Sequence, residues 1–354
     1  MPGFASIIDQ ERPIRILTTL ISHGTLPHAL LFTGIPGVGK QATALALAMA
    51  CNCMEKKSGQ KPEVNNSRRQ VADRSSNLIS SVEPCGSCRS CKKIQAGNHP
   101  DIIQIKPVGT LINIAQIRDL RSTLAMKPYE AGTRIAILHD AQSMNPPAGN
   151  ALLKILEEPP EQTVLVLLAT QTQDLLPTIV SRCQQIRFNP ITGAYLEKLL
   201  IEEHGMETKD ARAIATMAGG SLTRAMTMLT GNWVFRRNWI LGELKELASR
   251  PNGHILALAE KISSEKGKIP EILEIIKSWL RDLVMAQTYP DKILNQDIRQ
   301  DIQLASQGIE TNSLLSKIEL VQTTQNNLQA NLNVRLLLEV MLMKLAKPSI
   351  DWIK

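Results

Sequence analysis

The chain has 354 residues, enough for two or three domains of ordinary size, each with its own hydrophobic core. Hydrophobic residues make up 43% of the sequence and charged residues 21%, a balance that excludes wholesale disorder. The net charge of +7 allows an acidic partner such as nucleic acid without requiring one, whereas an aromatic content of 3% argues against a protein that holds single strands by base stacking.

Neither a membrane span nor a targeting segment is predicted. No run of about 18 consecutive apolar residues is present, so we expect no transmembrane helix. Residues 1–10 lack a basic segment followed by an apolar one, so we expect no signal peptide. We therefore expect a cytoplasmic protein whose six cysteines are free thiols or metal ligands rather than disulfides.

The first half of the chain alternates short β-rich apolar runs with helical stretches. Such alternation favours a parallel, doubly wound sheet, and the longest apolar run is typical of a central strand buried on both faces. Strands are predicted at residues 28–32, 102–105, 134–138, 163–169 and 185–188, with helices that include 40–53, 114–125 and 147–156.

The second half loses the strand signal and shows helical periodicity. The predicted helices there include 194–203, 209–217, 222–229, 270–287, 314–327 and 334–346. We therefore predict an α/β fold followed by an all-α part, with a sheet domain at 1–189, a small helical domain at 190–232 and a larger one at 233–354. The polar stretch 55–83 has the composition of a flexible insertion into the first domain, and the sequence indicates no role for it.

A glycine-rich loop follows the first predicted strand and opens a helix: Gly34-Ile-Pro-Gly37-Val-Gly39-Lys40-Gln41. This arrangement predicts a P-loop, in which backbone N–H groups and Lys40 bind phosphates at the helix N-terminus. The position after Lys40 should carry a Ser or Thr hydroxyl for Mg²⁺, and Gln41 cannot replace it without moving the backbone or the metal. Two interpretations stay open, a loop that binds nucleotide with poor hydrolysis and a relic loop that only shapes this corner.

An acidic residue follows another predicted strand. Residues 134–138 run into Asp140, which can serve as the aspartate on the metal side of a nucleotide site. The next position, where a hydrolytic site would carry a glutamate to activate water, is Ala141, and alanine can neither orient nor deprotonate a water molecule. Gln41 and Ala141 together predict very weak ATPase activity or none.

Clustered cysteines predict a metal site. Cys85, Cys88 and Cys91 lie three residues apart, and Cys53 precedes them across the insertion. Four thiolates close a tetrahedral zinc site, with Cys53 preferred as the fourth ligand and Cys51 left as the alternative. Structural zinc is preferred over an iron–sulfur cluster because no cysteine follows three residues after Cys91. A closed site has no open position for chemistry, so the metal would join the ends of a zinc-binding insertion at about 53–91.

Arg182 stands in the short link Ser181-Arg182-Cys183 after residues 176–180. An arginine in such a link is ordinarily a surface charge or an ion-pair partner. After a P-loop core it has a second interpretation, in which it reaches a neighbouring subunit's nucleotide site and stabilises γ-phosphate charge in trans.

The combined pattern resembles the delta-prime group of the AAA+ clamp-loader family of bacterial DNA polymerase III. The resemblance covers most of the chain and rests on residues 28–34 with the loop to Lys40, the cysteine cluster, His99-Pro-Asp101, the distinctive helix at 150–160 and the link around Arg182. It extends to residues 331–340, which look like the family's collar helix.

The resemblance implies an AAA+ P-loop core with a zinc module, a helical lid and a C-terminal helical collar used for oligomerisation. It also implies a stator subunit in a heteropentameric ring with delta and three gamma/tau subunits, which loads the sliding clamp onto primed DNA. Polymerase activity, a nucleotidyl transfer, would then belong to the holoenzyme, with no strong activity in this chain.

Individual residues carry the same resemblance. Arg182 matches the arginine finger that acts in trans, and Thr170 matches the sensor-1 position. Thr223 stands where an ATP-hydrolysing relative tends to carry its sensor-2 arginine. Gamma/tau relatives would show Ser or Thr at 41 and Glu at 141, so both departures favour delta-prime. An ATP-hydrolysing gamma/tau-type subunit is the alternative, and a nuclease is disfavoured because no acidic cluster suits two-metal cleavage.

Overall fold

The computed structural model describes residues 3–55, 82–328 and 333–347. The chain divides into two compact units, Met1–Thr192 with Ser221–Thr223, and Gly193–Gly220 with Arg224–Lys354. The predicted insertion at 55–83 lies almost wholly outside the described residues. The finer division of the second unit into a lid and a collar stays a prediction.

A five-stranded sheet forms the middle of the first unit. All of its strands are parallel, and their order is β2-β3-β4-β1-β5. Leu30 of β1 pairs with Val166 of β4 on one side and with Gln184 of β5 on the other. This confirms the predicted doubly wound parallel sheet. The strands are β1 (Ala29–Thr33), β2 (Ile102–Ile105), β3 (Arg134–Leu138), β4 (Thr163–Ala169) and β5 (Gln184–Arg187).

Helices cover both faces of this sheet. Successive side chains of β1 alternate between two apolar clusters, with Leu30 and Phe32 in one and Ala29 and Leu31 in the other. A strand buried on both faces has to be apolar throughout, as its sequence is. The helices of this unit are α1 (Glu11–Ser22), α2 (Lys40–Asn52), α3 (Arg89–Gln95), α4 (Ile114–Leu124), α5 (Pro146–Glu157) and α6 (Pro177–Val180).

The start of α5 is fixed by local chemistry. The Asn145 side chain accepts a hydrogen bond of 3.0 Å from the backbone N–H of Ala148, which caps the first turn. Pro146 occupies the first helical position, where its missing N–H costs nothing. The distinctive helix of the sequence therefore begins at a defined residue and runs to Glu157.

The second unit is helical. Its described helices are α7 (Gly193–Glu202), α8 (Thr208–Ala218), α9 (Leu222–Thr230, which begins in the short segment of the first unit), α10 (Trp233–Glu246), α11 (Asn252–Ser264), α12 (Ile269–Thr288), α13 (Arg299–Ala305), α14 (Thr311–Asn327) and α15 (Val334–Leu345). A buried ion pair joins Arg237 of α10 to Asp297, with Nη1 and Oδ1 3.0 Å apart. The guanidinium also lies over the ring of Trp233, 5.1 Å from its centre.

Among the helices described, none has the length and apolar character needed to cross a membrane.

Candidate functional site

The predicted phosphate loop joins β1 to α2 at the carboxyl edge of the sheet. Gly34, Gly37 and Gly39 have φ angles of +148°, +82° and +98°, a region that side chains rarely adopt. A Cβ at Gly34 would lie 2.6 Å from the carbonyl oxygen of Phe188, and one at Gly37 would lie 2.4 Å from Oγ of Ser221. The packing of the loop in this chain therefore requires glycine at both positions.

Lys40 contacts its own loop. Its ammonium donates hydrogen bonds to the carbonyl oxygen of Ile35, 3.0 Å away, and to that of Gly34. Burial lowers the pKa of Lys40, while the nearby Asp140 carboxylate acts to raise it. The ammonium group that would bind a phosphate is thus already hydrogen-bonded to two backbone carbonyls.

The short segment Ser221–Thr223 of the first unit lies against the loop. The backbone N–H of Leu222 donates to the carbonyl oxygen of Gly37 at 3.0 Å. The backbone nitrogen of Thr223 would be 3.0 Å from a Cβ at Gly37. Thr223, the residue that the resemblance matches to the sensor-2 arginine, is therefore packed on the loop, and its side chain carries no charge.

Asp140 and Thr170 come to the same edge of the sheet as Lys40. Asp140 is exposed just beyond the end of β3, with a φ of +46°. Thr170 follows β4, and its carbonyl oxygen accepts a 3.1 Å hydrogen bond from the N–H of Gly34. The predicted phosphate, metal and sensor positions are therefore neighbours at one edge.

The two departures from a hydrolytic site have different surroundings. Gln41 is exposed in the first turn of α2, where its amide replaces the expected hydroxyl. Ala141 is fully buried in the apolar cluster on one face of the sheet. An acid at 141 would have to leave that cluster to meet a water molecule.

A cavity of about 600 Å³ opens beside the loop, next to Gly34 and Thr170. Arg12 of α1 and Arg187 at the end of β5 also line it. This edge therefore has a cavity and positive charge. Compared with a hydrolytic nucleotide site, it lacks the metal-binding hydroxyl at position 41 and the acid at position 141.

The four predicted metal ligands come together. The sulfurs of Cys53, Cys85, Cys88 and Cys91 all lie within 4.8 Å of one another, and those of Cys85 and Cys91 are 4.0 Å apart. Tetrahedral zinc with bonds of about 2.3 Å requires sulfur separations of about 3.8 Å, so the set fits this ion. Cys51 lies outside this group, so the geometry favours Cys53 over Cys51 as the fourth ligand of a metal bound here.

Backbone N–H groups surround these sulfurs. Cys88 caps α3 and accepts from the N–H of Cys91 at 3.5 Å, and its own N–H donates to Cys85 Sγ at 3.3 Å. Burial acts to raise the pKa of the Cys88 thiol, but the N–H groups of Cys91 and Met54 bring that pKa down to about 7. Among these thiols Cys88 is thus the one that most readily gives the thiolate that binds metal, whereas burial raises the pKa of Cys85 and Cys91.

His99 and Asp101, which contributed to the resemblance, form part of a buried hydrogen-bond network. The Asp101 carboxylate accepts from Nη2 of Arg134 at 3.2 Å. It also accepts from the N–H groups of Tyr129, Glu130 and Ala131, at 2.8–2.9 Å. These contacts hold the connection between α4 and β3, so the role of Asp101 is structural.

Arg182 lies on the surface between α6 and β5. Its Nη1 donates to the carbonyl oxygen of Thr178 at 3.1 Å, and its Nη2 donates to Oε1 of Glu157 at 2.8 Å. The sequence does not indicate Glu157 as a partner of Arg182, because the two residues are 25 positions apart and nothing in their spacing marks them as a pair.

Arg182 and the phosphate loop lie at opposite edges of the sheet. β5 begins at Gln184, which pairs with Leu30, whereas the loop follows Thr33, which pairs with Arg187. The intervening strand is about 10–13 Å long at its rise of about 3.3 Å per residue. Arg182 therefore does not face its own loop.

Comparison with known proteins identifies the family. A family model described as "DNA polymerase III, delta subunit" matches residues 9–80 and 75–192, and one described as "DNA polymerase III, delta subunit, C terminal" matches residues 232–347. DNA polymerase III subunit delta' of Bacillus subtilis is 30% identical over 95% of this chain and 96% of its own length.

Two further similarities were found. DNA polymerase III subunit tau of Bacillus subtilis is 25% identical over 98% of this chain and 62% of its own length. A gamma-subunit-related protein from Thermotoga maritima, known as a crystal structure, is 19% identical with a TM-score of 0.43, over 95% of this chain and 98% of that one. The matched models span the sheet unit and most of the helical unit, and the chain therefore belongs to the DNA polymerase III delta-subunit family of clamp-loader proteins.

Proposed function

We propose that the chain is a delta-prime-type clamp-loader subunit with weak or no ATPase activity of its own, which supplies Arg182 to the nucleotide site of a neighbouring subunit. The observation that carries this proposal is the separation of Arg182 from its own loop by the length of the sheet. An exposed arginine that cannot serve its own site is available to another.

The chain's own phosphate site lacks what hydrolysis needs. Gln41 offers no hydroxyl for Mg²⁺, and Ala141 offers no base. Lys40 is hydrogen-bonded to carbonyls of its own loop, so a phosphate would have to displace them. These features favour a subunit that assists ATP turnover elsewhere.

Arg182 retains capacity for a phosphate. A guanidinium has five N–H donors, and within the described part of the chain two are used, one by Thr178 and one by Glu157. Its planar fork matches the geometry of phosphate oxygens. The three remaining donors support a role in stabilising γ-phosphate charge across a subunit boundary.

Zinc would have a structural role. Cys53, Cys85, Cys88 and Cys91 fill a tetrahedral shell and leave no position for water or substrate. The metal would join the end of α2 to the start of α3. The insertion lies between Cys53 and Cys85 in the sequence, so both of its ends would be held at this metal.

The proposed partners follow from the family. We propose assembly with delta and gamma/tau subunits, and contact with the sliding clamp and primed DNA through the complex. Relatives named delta' and tau support a hetero-oligomeric setting.

Arg182→Ala in the reconstituted complex tests the proposal. We expect normal assembly by size-exclusion chromatography and a fall of tenfold or more in ATP turnover at the site that Arg182 serves, since arginine fingers contribute about 10³–10⁵ in kcat. Arg182→Lys should not restore the rate fully, because a point charge lacks the planar fork. Arg212→Ala, which breaks an exposed ion pair in the second unit, is the matched control. Unchanged stimulated ATPase in the Arg182→Ala complex would refute the finger assignment.

A gamma/tau-type ATPase is the second candidate. It is favoured by the 25% identity to tau over 98% of the chain and by the presence of Lys40 and Asp140 at one edge. Steady-state turnover of about 1 s⁻¹ or more by the isolated chain with Mg²⁺ would support this candidate.

A further inference from the structure

We propose that Glu157 is a positioning residue for Arg182, a role that rests on the proposed trans action of this arginine. The carboxylate Oε1 of Glu157 accepts from Nη2 of Arg182 at 2.8 Å. The carbonyl oxygen of Thr178 accepts from Nη1 at 3.1 Å. Two acceptors on different elements therefore fix the plane of the guanidinium before any neighbour arrives.

The contact orients the guanidinium without enclosing it. Only one carboxylate oxygen of Glu157 is engaged, on a single guanidinium nitrogen. The arginine side chain keeps 37% of its surface exposed. A neighbouring phosphate could bind the remaining donors while Glu157 stays in place.

Both ends of the contact are held by rigid structure. Glu157 ends α5, and Ile155 and Leu156 just before it are buried. On the other side, the N–H of Arg182 donates to the carbonyl oxygen of Ile179 at 3.1 Å, and Cys183 is buried. A side chain oriented from well-packed elements loses less freedom when it meets its target.

Helix stability does not account for an acid at this position. Glu157 is the last residue of α5 and Glu158 is its C-cap, and the negative end of the helix dipole disfavours a carboxylate there. The ion pair itself is exposed, with 51% of the Glu157 side chain accessible, and such pairs add little to folding stability. An acid that contributes little to the fold and contacts the arginine directly is better explained by orientation of that arginine.

Glu157→Gln in the reconstituted complex is the test, with Glu158→Gln as the matched control. Glu158 is the next residue and has the same charge, and it forms no ion pair within the described residues. We expect Glu157→Gln to lower kcat for stimulated ATP hydrolysis about two- to fivefold, the range that exposed charge pairs reach, with KM for ATP unchanged within about twofold. The control should match the wild-type complex.

A double-mutant cycle separates this inference from the function on which it rests. In the Arg182→Ala background, Glu157→Gln should have no further effect, because the residue acts only through the arginine. If Arg182→Ala itself has no effect, the proposed function fails. If Arg182→Ala is strongly impaired while Glu157→Gln behaves as wild type, only the positioning role fails. A rate increase in Glu157→Gln would also overturn it, since the carboxylate would then restrain the arginine.

Discussion

The Lys40 ammonium lies 3.0 Å from the carbonyl oxygen of Ile35 and donates a hydrogen bond to it within the phosphate loop. A phosphate group entering this loop has to compete with that carbonyl and with Gly34. Gly34, Gly37 and Gly39 all have positive φ angles, and the lysine that follows them already has two hydrogen-bond partners in the loop. Nucleotide chemistry at this site therefore depends on residues other than the glycines.

Gln41→Thr should strengthen Mg²⁺-dependent nucleotide binding without producing turnover. The threonine hydroxyl supplies a metal ligand, but position 141 still lacks a base. Binding of ATP with and without Mg²⁺ can be measured by calorimetry, and turnover by phosphate release. Appearance of turnover near about 1 s⁻¹ in this single variant would show that Ala141 does not limit hydrolysis.

Cys85→Ser should remove the metal. The wild-type chain is expected to hold about one zinc ion per molecule by elemental analysis, and loss of one of four thiolates opens the tetrahedral shell. The melting temperature should fall with the metal content, because binding energy of a structural zinc is folding energy. Cys51→Ser is the control, since Cys51 lies outside the group and should retain the metal. If Cys51→Ser lost the metal and Cys85→Ser retained it, the assignment of the metal ligands would be wrong.

Asp101→Asn should destabilise the first unit by about 3–5 kcal/mol, because it leaves the buried Arg134 guanidinium without its countercharge. Denaturant unfolding measures the loss. The control, Glu130→Gln, removes a partner of Lys93 on the exposed side of the same connection and should stay near wild type. Equal stability of the two variants would mean that the buried pair contributes nothing beyond a surface contact.

The same carboxyl group predicts a dependence on acid. Burial acts to raise the pKa of Asp101, but the N–H groups of Glu130, Tyr129 and Ala131 and the Arg134 side chain outweigh it and hold that pKa below its usual value. A lowered native pKa means that the unfolded state binds the proton more readily, so this stabilisation is complete above about pH 4 and disappears as the pH falls through the native pKa. Asp101→Asn should flatten the acid limb of the stability profile, and an unchanged limb would argue against it.

Gly37→Ala should destabilise the loop by about 1–3 kcal/mol, the cost of a strained backbone position. The φ of +82° disfavours a side chain, and its Cβ would lie 2.4 Å from Oγ of Ser221. Gly242→Ala is the control, because that glycine lies inside α10 with open space around it, and alanine there should stabilise by about 0.5–1 kcal/mol. The melting temperatures of the two variants distinguish these outcomes. Similar changes in both would show that the close approach of Ser221 to Gly37 does not cause the destabilisation.

The sheet and the clustering of four cysteines could be predicted from the sequence, whereas several contacts could not. The five strands occur within one residue of their predicted bounds. Strands β1, β3 and β4 are buried along their whole length, and a strand buried on both faces is a short apolar run that the sequence shows directly. Strand β5 is mostly exposed and buries only Ile186. Helix α1 was not among the predicted helices, although Ile14, Leu17 and Ile21 recur on one face of it.

Contacts between distant residues explain most of what was missed. The spacing of the cysteines indicated a metal site but did not distinguish Cys51 from Cys53. Cys51 lies within α2, whereas Cys53 is the residue just after the helix, and its sulfur lies in the cysteine group. The contact between Glu157 and Arg182 joins two elements that only the folded sheet brings together. Local patterns contain no information on such pairs.

The uniform strand direction gives the first unit a polarity. The loop lies at one edge and Arg182 at the other, so copies of such a unit can associate head to tail, with each arginine edge meeting the next loop edge. A subunit that has Arg182 at one edge but does not hydrolyse ATP at the other can activate only the neighbour that its arginine contacts. The neighbour on the other side would place its arginine at a site where no ATP is hydrolysed. If the proposed function holds, this chain would be such a subunit at a fixed end of an otherwise repeating series, and its position would set the order of the other subunits.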